Sequence, residues 1–594
     1  MKPARILVIF AFVMLGALAA AQTVSYDGLK FMSMPDLENR QFFGYNFVRV
    51  LVTNKSDRVR NIRLFARTDY SRDLEEVTRS FSIQPGEALT EALMVPSADF
   101  SSQGVNIEVD GVLLPDYLSK YLRFYRNYYA KKQVLVDSRI SRNDFEAAFG
   151  SSGKFGHINL ELNQFTGSLS QLYRNWLGYA QFNLLMFYAK SLSDMPEPVR
   201  LAIFDYVRAG GALLILGQAA LPSDFFKKHE DGLWASYEGC FGRVYLFNGD
   251  LFATAPVTEP QKIPANSLAP RKNSSHQPVK FKSEQAPDVS VFDLFGGNSL
   301  KSDSPLSFKD TEIETVSARW LMLLIYLFAF IIGPVNVYFL HKTGRRIFVF
   351  LTVPIASLAC CVFIYAYYLV FESSTLLVKK QTLTLLDERE NRAVMLGNYS
   401  VFSARSRPEG LKFDMQTEVF PLNRDDYRVS DGGKYISLDE DQHFKDGWVK
   451  PKIPRYVHVR SIQTRRERVT LSVKNGRLQL MNGLGVDIIK LHLKTADGKT
   501  YIIENLGAGN MAELQEQRSG VANTAVTTPA EIFSEHWFRL MPDISSYFQT
   551  SYLRPGTYIA SLRESPFLRQ AIEKEASVSD EACIIGILKE EPQL

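Results

Sequence analysis

Cysteine is scarce in this chain. Only four of the 594 residues are cysteine, and Cys360 and Cys361 lie together inside a long apolar run. The other two, Cys240 and Cys583, lie far apart in the sequence. A disulfide-stabilised scaffold is therefore excluded, and packed apolar cores must supply the stability. A bridge between Cys240 and Cys583 is conceivable, but two separate free thiols are the simpler interpretation.

A large excess of one charge is also missing. The chain carries 68 Lys and Arg residues against 64 Asp and Glu residues, which gives a formal net charge of +4. Proteins that bind DNA or RNA neutralise phosphates with a clearly basic surface. The near balance of charge therefore predicts no nucleic-acid partner.

Motifs for catalysis and cofactor binding are absent as well. The eight histidines are scattered, and none lies in an HExxH pattern, so no zinc site is expected. The glycine-rich loop that binds nucleotide phosphates in P-loop proteins does not occur. We therefore expect no metal, no cofactor and no catalytic residues.

Two long apolar runs are present. Residues 320–340 and 347–371 contain no charged residue. In an α-helix, about 20 apolar residues cross the ~30 Å hydrocarbon core of a bilayer. The two runs therefore predict a two-helix transmembrane hairpin over 316–372, with the lipid bilayer as its partner.

The loop between the runs, 341–346, predicts the orientation of the hairpin. It contains Lys342, Arg345 and Arg346. Short cationic loops remain on the cytoplasmic side of a membrane because their translocation is disfavoured. We therefore expect 341–346 to lie in the cytoplasm.

Three residues interrupt the apolar character of the first run. Gly333 and Pro334 are expected to kink the helix, since proline lacks a backbone N–H donor. Asn336 is polar at membrane depth and is expected to face the second helix. Because glycine permits close helix approach and a buried amide needs a partner, the group favours docking onto partner membrane subunits.

The N-terminus matches an export signal. Within 1–21, two basic residues precede an apolar stretch and three consecutive alanines. This pattern predicts a secretory signal peptide. Segments 22–318 and 372–594 are then both expected on the periplasmic side of a bacterial inner (cytoplasmic) membrane, with other inner-membrane or periplasmic proteins as partners.

The exported segments differ in their residue patterns. Alternating apolar and polar residues over 22–125 predict an antiparallel β-sandwich similar to immunoglobulin-like modules. Residues 253–315 are rich in Pro, Ser, Asn and Lys and predict a flexible linker. Residues 373–594 predict a β-rich domain with short turns. The predicted turns are Asn475-Gly476, Asn482-Gly483 and Asp497-Gly498.

The remaining segment, 126–252, alternates between strand and helix patterns. One strand pattern is the unbroken apolar ALLIL at 212–216, which is typical of a parallel sheet covered on both faces. The helix before it can be capped by Ser193 or Asp194, and Pro198 suits its first turn. The alternation predicts a three-layer α/β domain.

A family resemblance is carried by LAIFDYVRAGGALLILGQAA at 201–220. It is similar to the helix, strand and turn of class I glutamine amidotransferase-like domains, which implies a flavodoxin-like α/β fold. In the active enzymes of that family, the strand ends at a sharp elbow that presents a cysteine. The matching residue here is Gln218, whose amide is not a nucleophile, and Cys240 lies well past the turn. The resemblance implies the fold without the chemistry.

The order of the segments also resembles uncharacterised bacterial membrane proteins with an exported α/β domain, a GPxN span and a GR loop. Here GPVN occupies 333–336 and GR occupies 344–345. This resemblance implies no particular activity.

We therefore expect a non-enzymatic envelope protein of the inner membrane, which binds or scaffolds partners or is an accessory subunit of a transport or envelope complex. The alternative is an enzyme, a hydrolase or amidotransferase-like, with an unrecognised active site in the α/β domain. Ligands of open α/β sheets bind beyond the carboxyl ends of the strands. The residues expected there are Asp137, Asn163, Gln164 and Gln218. A structural role as a cap or a turn is the alternative for each.

Overall fold

The computed structural model describes residues 23–34, 44–67, 74–96, 101–116, 118–123, 132–140, 154–155, 158–165, 168–231, 234–248, 318–344, 346–371, 376–421, 434–516, 553–568, 571–572 and 577–590. The predicted signal peptide, the predicted linker and Arg345 lie outside these residues.

The described elements before the two apolar runs are mostly strands. In chain order, the strands are β1 (Thr23–Tyr26), β2 (Leu29–Ser33), β3 (Tyr45–Asn54), β4 (Arg60–Arg67), β5 (Leu74–Ile83), β6 (Ala88–Pro96), β7 (Ser101–Val109), β8 (Val112–Leu113), β9 (Leu118–Arg123), β10 (Lys132–Val136), β11 (Lys154–Phe155), β12 (Ile158–Gln164), β13 (Leu184–Tyr188), β14 (Ala212–Leu216), β15 (Phe226–Asp231), β16 (Trp234–Gly239) and β17 (Gly242–Phe247). The helices are α1 (Ala189–Asp194) and α2 (Glu197–Arg208), with short 3-10 turns at Leu169–Gln171 and Trp176–Gly178.

The later elements are the apolar helices and a second set of strands. The helices are α3 (Ala318–Phe330), α4 (Asn336–Lys342) and α5 (Val349–Phe371), with a π turn at Ile331–Val335 and a 3-10 turn at Arg346–Phe348. The strands are β18 (Leu376–Asp387), β19 (Arg392–Ser403), β20 (Leu411–Phe413), β21 (Thr417–Pro421), β22 (Lys434–Leu438), β23 (Gln442–Lys445), β24 (Arg455–Thr464), β25 (Arg468–Lys474), β26 (Arg477–Gly483), β27 (Ile488–Lys494), β28 (Thr500–Leu506), β29 (Met511–Glu513), β30 (Gln515–Glu516), β31 (Thr557–Leu562) and β32 (Ser577–Ile587).

Strands β1 to β9 lie in two sheets, one of which also contains later strands, and the prediction of a β-rich fold is confirmed. One sheet has the order β1-β2-β3-β6, and the other has the order β20-β23-β22-β5-β4-β7-β8, with β9 paired to β7. Alternate side chains of both sheets, such as Phe31, Val50, Leu64 and Val77, are buried in one apolar core. Successive side chains of a strand point to opposite faces of its sheet, so every second apolar residue can enter this core.

The second of these sheets joins two distant parts of the chain. β5 pairs in parallel with β22, and Val77 lies opposite Ile436. The apolar helices α3 to α5 lie between these strands in the sequence. The segments before and after the apolar helices therefore build one sheet together. The sequence pattern predicts separate domains for these segments and does not predict this shared sheet.

The segment 132–247 forms a mixed sheet of order β11-β12-β10-β13-β14-β17-β16-β15. Its five central strands are parallel, and β11, β15 and β16 add antiparallel edges. Among the parallel strands, the first in the chain lies between the second and the third. β14 is buried along its whole length, as its ALLIL sequence predicts.

The helical crossover before β14 differs from the sequence expectation. It is split into α1 and α2, because Met195 precedes Pro196 and is extended, with φ −70° and ψ 143°. A residue before proline avoids the helical region. The N-cap of α2 is Pro196, which makes no side-chain cap, so the predicted caps Ser193 and Asp194 belong to the end of α1.

The last segment forms a nine-stranded sheet of order β21-β24-β19-β18-β32-β31-β27-β28-β30 and a three-stranded sheet, β25-β26-β29. The turn at Asn475-Gly476 joins β25 to β26, with positive φ at both residues, as a tight hairpin requires. Asn482-Gly483 is not a turn but the end of β26. The Asn482 side chain is buried and donates to the carbonyl oxygens of Val486 and Leu506, at 2.8 and 3.1 Å.

The apolar runs form helices that meet near the start of α5. Nδ2 of Asn336 donates to Oγ1 of Thr352 at 2.9 Å. The π turn contains Pro334, whose missing N–H removes one regular helical hydrogen bond. Within the described residues, Ile325–Lys342 is long and apolar enough to cross a membrane by length and composition, and Val349–Phe363 is a shorter apolar helix.

The mixed sheet packs against the nine-stranded sheet through polar anchors. Nε1 of Trp176 donates to the carbonyl oxygen of Gln416 at 3.0 Å. Nη1 of Arg460 donates to the carbonyl oxygen of Ala209 at 3.1 Å, where α2 ends. A cation at this end complements the helix dipole. The guanidinium of Arg460 is also paired with the buried carboxylate of Glu418.

A candidate binding cleft at the carboxyl edge of the parallel strands

A cleft of about 860 Å³ lies at the carboxyl ends of β13 and β14. The order of the strands explains its position. The chain passes from β10 to β12, its neighbour in one direction along the sheet. It passes from β13 to β14, its neighbour in the other direction. Such a reversal of strand order leaves a crevice between the diverging connections. The cleft is lined by Arg139, Tyr188, Ala189, Lys190, Leu192, Ser193, Arg200, Phe204, Leu216, Gly217, Gln218, Ala219, Ala220, Leu221 and Pro222.

Asp137 supports the cleft without lining it. The residue is 1% exposed. Its Oδ1 accepts the backbone N–H of Arg139 at 3.0 Å, and its Oδ2 accepts the backbone N–H of Tyr188 at 3.2 Å. The carboxylate therefore ties the loop after β10 to the end of β13 and has a structural role.

The two predicted residues on β12, Asn163 and Gln164, are also outside the lining of the cleft. Nδ2 of Asn163 donates to Oε1 of Gln133 at 2.5 Å. Nε2 of Gln164 donates to the carbonyl oxygens of Ser138 and Ile140, at 2.7 and 3.3 Å. Gln164 thus holds the loop that carries Arg139, and it contacts the cleft only through that loop.

Gln218 is the one predicted residue of the four that lines the cleft. It follows Gly217, whose φ of 101° makes the sharp turn at the end of β14. A nucleophile elbow joins a strand to a helix. Here residues 217–225 contain no helix, and the chain enters the strand β15. The turn at Gln218 therefore lacks the geometry of an elbow as well as a nucleophilic side chain.

Cys240 lies at the opposite end of the sheet from Gln218. It sits in the hairpin between β16 and β17, where β17 begins. β17 runs parallel to β14, so the start of β17 lies at the amino end of the parallel strands and Gln218 at their carboxyl end. The five residues of β14 separate these two ends by roughly 13 Å. Burial and the nearby carboxylate of Asp224 raise the pKa of the Cys240 thiol. A cysteine nucleophile for the cleft must be a thiolate and must lie at the carboxyl ends of the strands. Cys240 meets neither condition.

The cysteines do not form a cross-link between the segments. Cys240 and Cys583 are both free, in agreement with the simpler interpretation of the sequence. Cys583 is 3% exposed, and burial raises the pKa of its thiol well above the ordinary value.

Three cations give the cleft a positive charge. They are Arg139, Lys190 and Arg200. Arg139 lies near the carboxylates of Asp137 and Asp194, at 3.9 and 3.8 Å, which are too long for hydrogen bonds. Within the part of the chain that the structure describes, Lys190 and Arg200 have no ion-pair partner. The arrangement can hold an anion.

Lys190 and Arg200 were not predicted from the sequence. In the sequence, a cation in a helix pattern indicates a solvated helix face, and Lys190 and Arg200 both lie in helices. One signal was available, because Lys190 follows the end of β13 by two residues and so lies at the carboxyl edge where ligands bind.

A second cavity, of about 570 Å³, lies between α2 and the nine-stranded sheet. The carboxylate of Asp205 in its lining takes part in a network of ion pairs. Asp205 accepts from Arg208 at 2.8 Å and lies 3.5 Å from Arg392. The bidentate pair of Arg208 with the buried Asp224 extends this network. The second cavity therefore lies at an interface between two sheets, where charged side chains already pair with each other.

No metal centre is found in the described part of the chain, where no group of three or more His, Cys, Asp or Glu side chains is placed to hold an ion.

Comparisons with known proteins do not assign this chain to a family. No family profile matches the sequence. No curated protein matches it either. Among solved structures, the chain is similar to a cycloisomaltooligosaccharide glucanotransferase from Paenibacillus sp., in complex with cycloisomaltoheptaose, at 11% identity and a TM-score of 0.14. The match covers 31% of this chain and 28% of that structure, and it carries no argument about fold or function.

Proposed function

We propose that this chain is a non-enzymatic, membrane-anchored protein of the bacterial envelope that binds or scaffolds other components outside the cytoplasm. The observation that carries the proposal is the parallel pairing of β5 with β22. Two segments can complete one sheet only if they lie in the same compartment. A hairpin that crosses a membrane twice is the simplest insertion between them that returns the chain to the same side.

The orientation rests on the sequence. The loop 341–346 carries Lys342, Arg345 and Arg346, and short cationic loops stay in the cytoplasm. The two segments that share a sheet then lie on the periplasmic side of the inner membrane. The export signal pattern in 1–21 supports the same orientation.

Binding without catalysis is supported by the geometry of the cleft. The position that matches an amidotransferase nucleophile is Gln218, and the free thiol of Cys240 lies at the other edge of the sheet. The cleft otherwise presents cations and apolar side chains, which suit recognition of a ligand.

Docking of the hairpin onto partner subunits is supported at Gly333. A Cβ added to this glycine would meet no atom within 4 Å, so the position faces open space and permits close approach of another helix. Asn336 has a different role, since its amide is already bonded to Thr352 within the hairpin. The docking surface proposed here is therefore the Gly333 side of the first helix.

Co-purification from membranes in mild detergent tests the scaffold role. We expect Gly333→Leu to leave the abundance of the protein in the membrane unchanged and to reduce the recovery of its partners. Ala359→Leu, which places the same side chain on α5, is the control and should retain them. Equal recovery with Gly333→Leu and the wild type would reduce the hairpin to a plain anchor.

A glutaminase assay separates this proposal from the enzymatic alternative. The full-length protein is expected to release no ammonia from glutamine. Ammonia release that disappears in Cys240→Ser would show that the chain is an amidotransferase and that the proposal is wrong.

A further inference from the structure

We propose that the cleft at the carboxyl edge of β13 and β14 binds a small organic anion, a phosphate ester or a carboxylate, with Lys190 and Arg200 contacting the charged group. This inference rests on the proposed binding function and names the class of ligand.

The first support is the convergence of cations from separate elements. Arg139 comes from the loop after β10, Lys190 from α1 and Arg200 from α2. The lining residues of the described cleft include no Asp or Glu. The carboxylates of Asp137 and Asp194 lie 3.9 and 3.8 Å from Arg139, whereas Lys190 and Arg200 have no ion-pair partner among the described residues. Clefts lined by one sign of charge concentrate ligands of the opposite sign.

The second support is the chemistry of the three cations. Arg139 and Arg200 carry planar guanidinium groups, which match carboxylate and phosphate oxygens in a bidentate manner. Lys190 adds a compact, exposed ammonium at the same edge. Gln218 and Ser193 supply neutral polar groups beside them. Together they give one cleft several donors for the oxygens of an anionic group.

The third support is the presence of apolar side chains in the same lining. Leu192, Phe204, Leu216 and Leu221 line the same space. The cleft volume of about 860 Å³ exceeds what an inorganic ion needs and falls in the range of small-molecule sites. The ligand therefore carries an apolar body as well as a charge.

Equilibrium dialysis of the full-length protein in detergent tests the inference with three probes: phenyl phosphate, benzoate and benzyl alcohol. We expect saturable binding of at least one anion and weaker binding of the neutral alcohol. The tighter anion identifies the charged group. Lys190→Gln and Arg200→Gln should each weaken anion binding by about tenfold, the effect of one lost charge-assisted contact. Ala220→Trp, which fills the cleft without changing its charge, should abolish binding.

Lys227→Gln is the matched control, because Lys227 is an exposed lysine on the far edge of the same sheet and is paired with Glu230. It should bind the anions as the wild type does. Absence of saturable binding by both anions would overturn the inference, and so would equal binding of benzyl alcohol or wild-type affinity in both Lys190→Gln and Arg200→Gln. These outcomes leave the membrane topology and the glutaminase assay untouched, so the proposed function is tested separately.

Discussion

The phenol of Tyr45 donates a hydrogen bond to Oε1 of Gln442 at 2.9 Å, between residues that lie on opposite sides of the apolar helices in the sequence. The hydroxyl oxygen of Tyr45 also accepts a hydrogen bond from the backbone N–H of Val419 at 2.9 Å. Tyr45 and Gln442 are both fully buried. Burial raises the pKa of the Tyr45 phenol, so it remains a neutral donor at physiological pH. One hydroxyl therefore links β3 to β21 and β23.

Removing this hydroxyl should destabilise the fold. Tyr45→Phe leaves a buried amide oxygen and a buried N–H without their partner, and we expect a loss of about 1–3 kcal/mol in the free energy of unfolding. Urea unfolding followed by tryptophan fluorescence measures the change. Tyr26→Phe, at a side chain 36% exposed, is the control and should have little effect. Equal stability of the Tyr45→Phe variant and the wild type would show that the two segments do not meet at this bond.

A buried carboxyl predicts a dependence of stability on pH. Oε1 of Glu388 accepts from the backbone N–H of Val469 at 2.8 Å and from the Tyr558 hydroxyl at 2.9 Å. Burial raises the pKa of Glu388 from 4.5 to about 7. Between these values the folded state holds a proton that the unfolded state has lost, so stability falls as pH rises through this window. The loss is on the order of 3 kcal/mol.

His458 acts in the opposite direction. Burial, with a smaller effect of Arg460, lowers its pKa from 6.5 to about 3. The unfolded state then binds the extra proton, so stability rises with pH between these values. We expect Glu388→Gln to be more stable than the wild type at pH 8. In this variant, the fall in stability due to Glu388 should be absent, and only the rise with pH below 6.5 due to His458 should remain. Glu516→Gln, at an exposed strand residue, is the control. A wild-type pH profile in Glu388→Gln would contradict the assignment.

The hydrogen bond between Asn336 and Thr352 predicts an energetic coupling between α4 and α5. Thermal unfolding in detergent of Asn336→Leu, Thr352→Val and the double variant should give a coupling free energy on the order of 1 kcal/mol. Thr343 donates to the carbonyl oxygen of Phe339 in its own helix, at 2.7 Å. Thr343→Val combined with Asn336→Leu should therefore be additive. Additive effects of Asn336→Leu and Thr352→Val would mean that this bond does not hold the helices together.

The local residue pattern is sufficient to predict elements whose residues lie close together in the sequence. The five apolar residues of β14 predict a buried strand, and the Asn475-Gly476 hairpin follows from its turn residues. Gln218 was found because it directly follows a recognisable strand. In each case, the signal and the structure span fewer than about ten residues.

The rest depends on strand order, which no local pattern carries. The parallel strands place β12 on the far side of β10 from the reversal, so Asn163 and Gln164 lie away from the cleft. The same strand order brings Lys190 and Arg200 to the cleft. Local periodicity cannot reveal the pairing of Val77 with Ile436 either, because all of the apolar helices lie between them in the sequence.

The central claim is that the segments before and after the hairpin form one body on the outer side of the membrane. Labelling of intact spheroplasts with a membrane-impermeant maleimide tests it most directly, with single exposed substitutions Lys55→Cys, Thr343→Cys and Lys474→Cys compared with the unsubstituted chain. We expect Lys55→Cys and Lys474→Cys to be labelled in intact cells, and Thr343→Cys to be labelled only after permeabilisation. Labelling of Lys55→Cys or Lys474→Cys without the other would place the two segments on opposite sides and contradict the account.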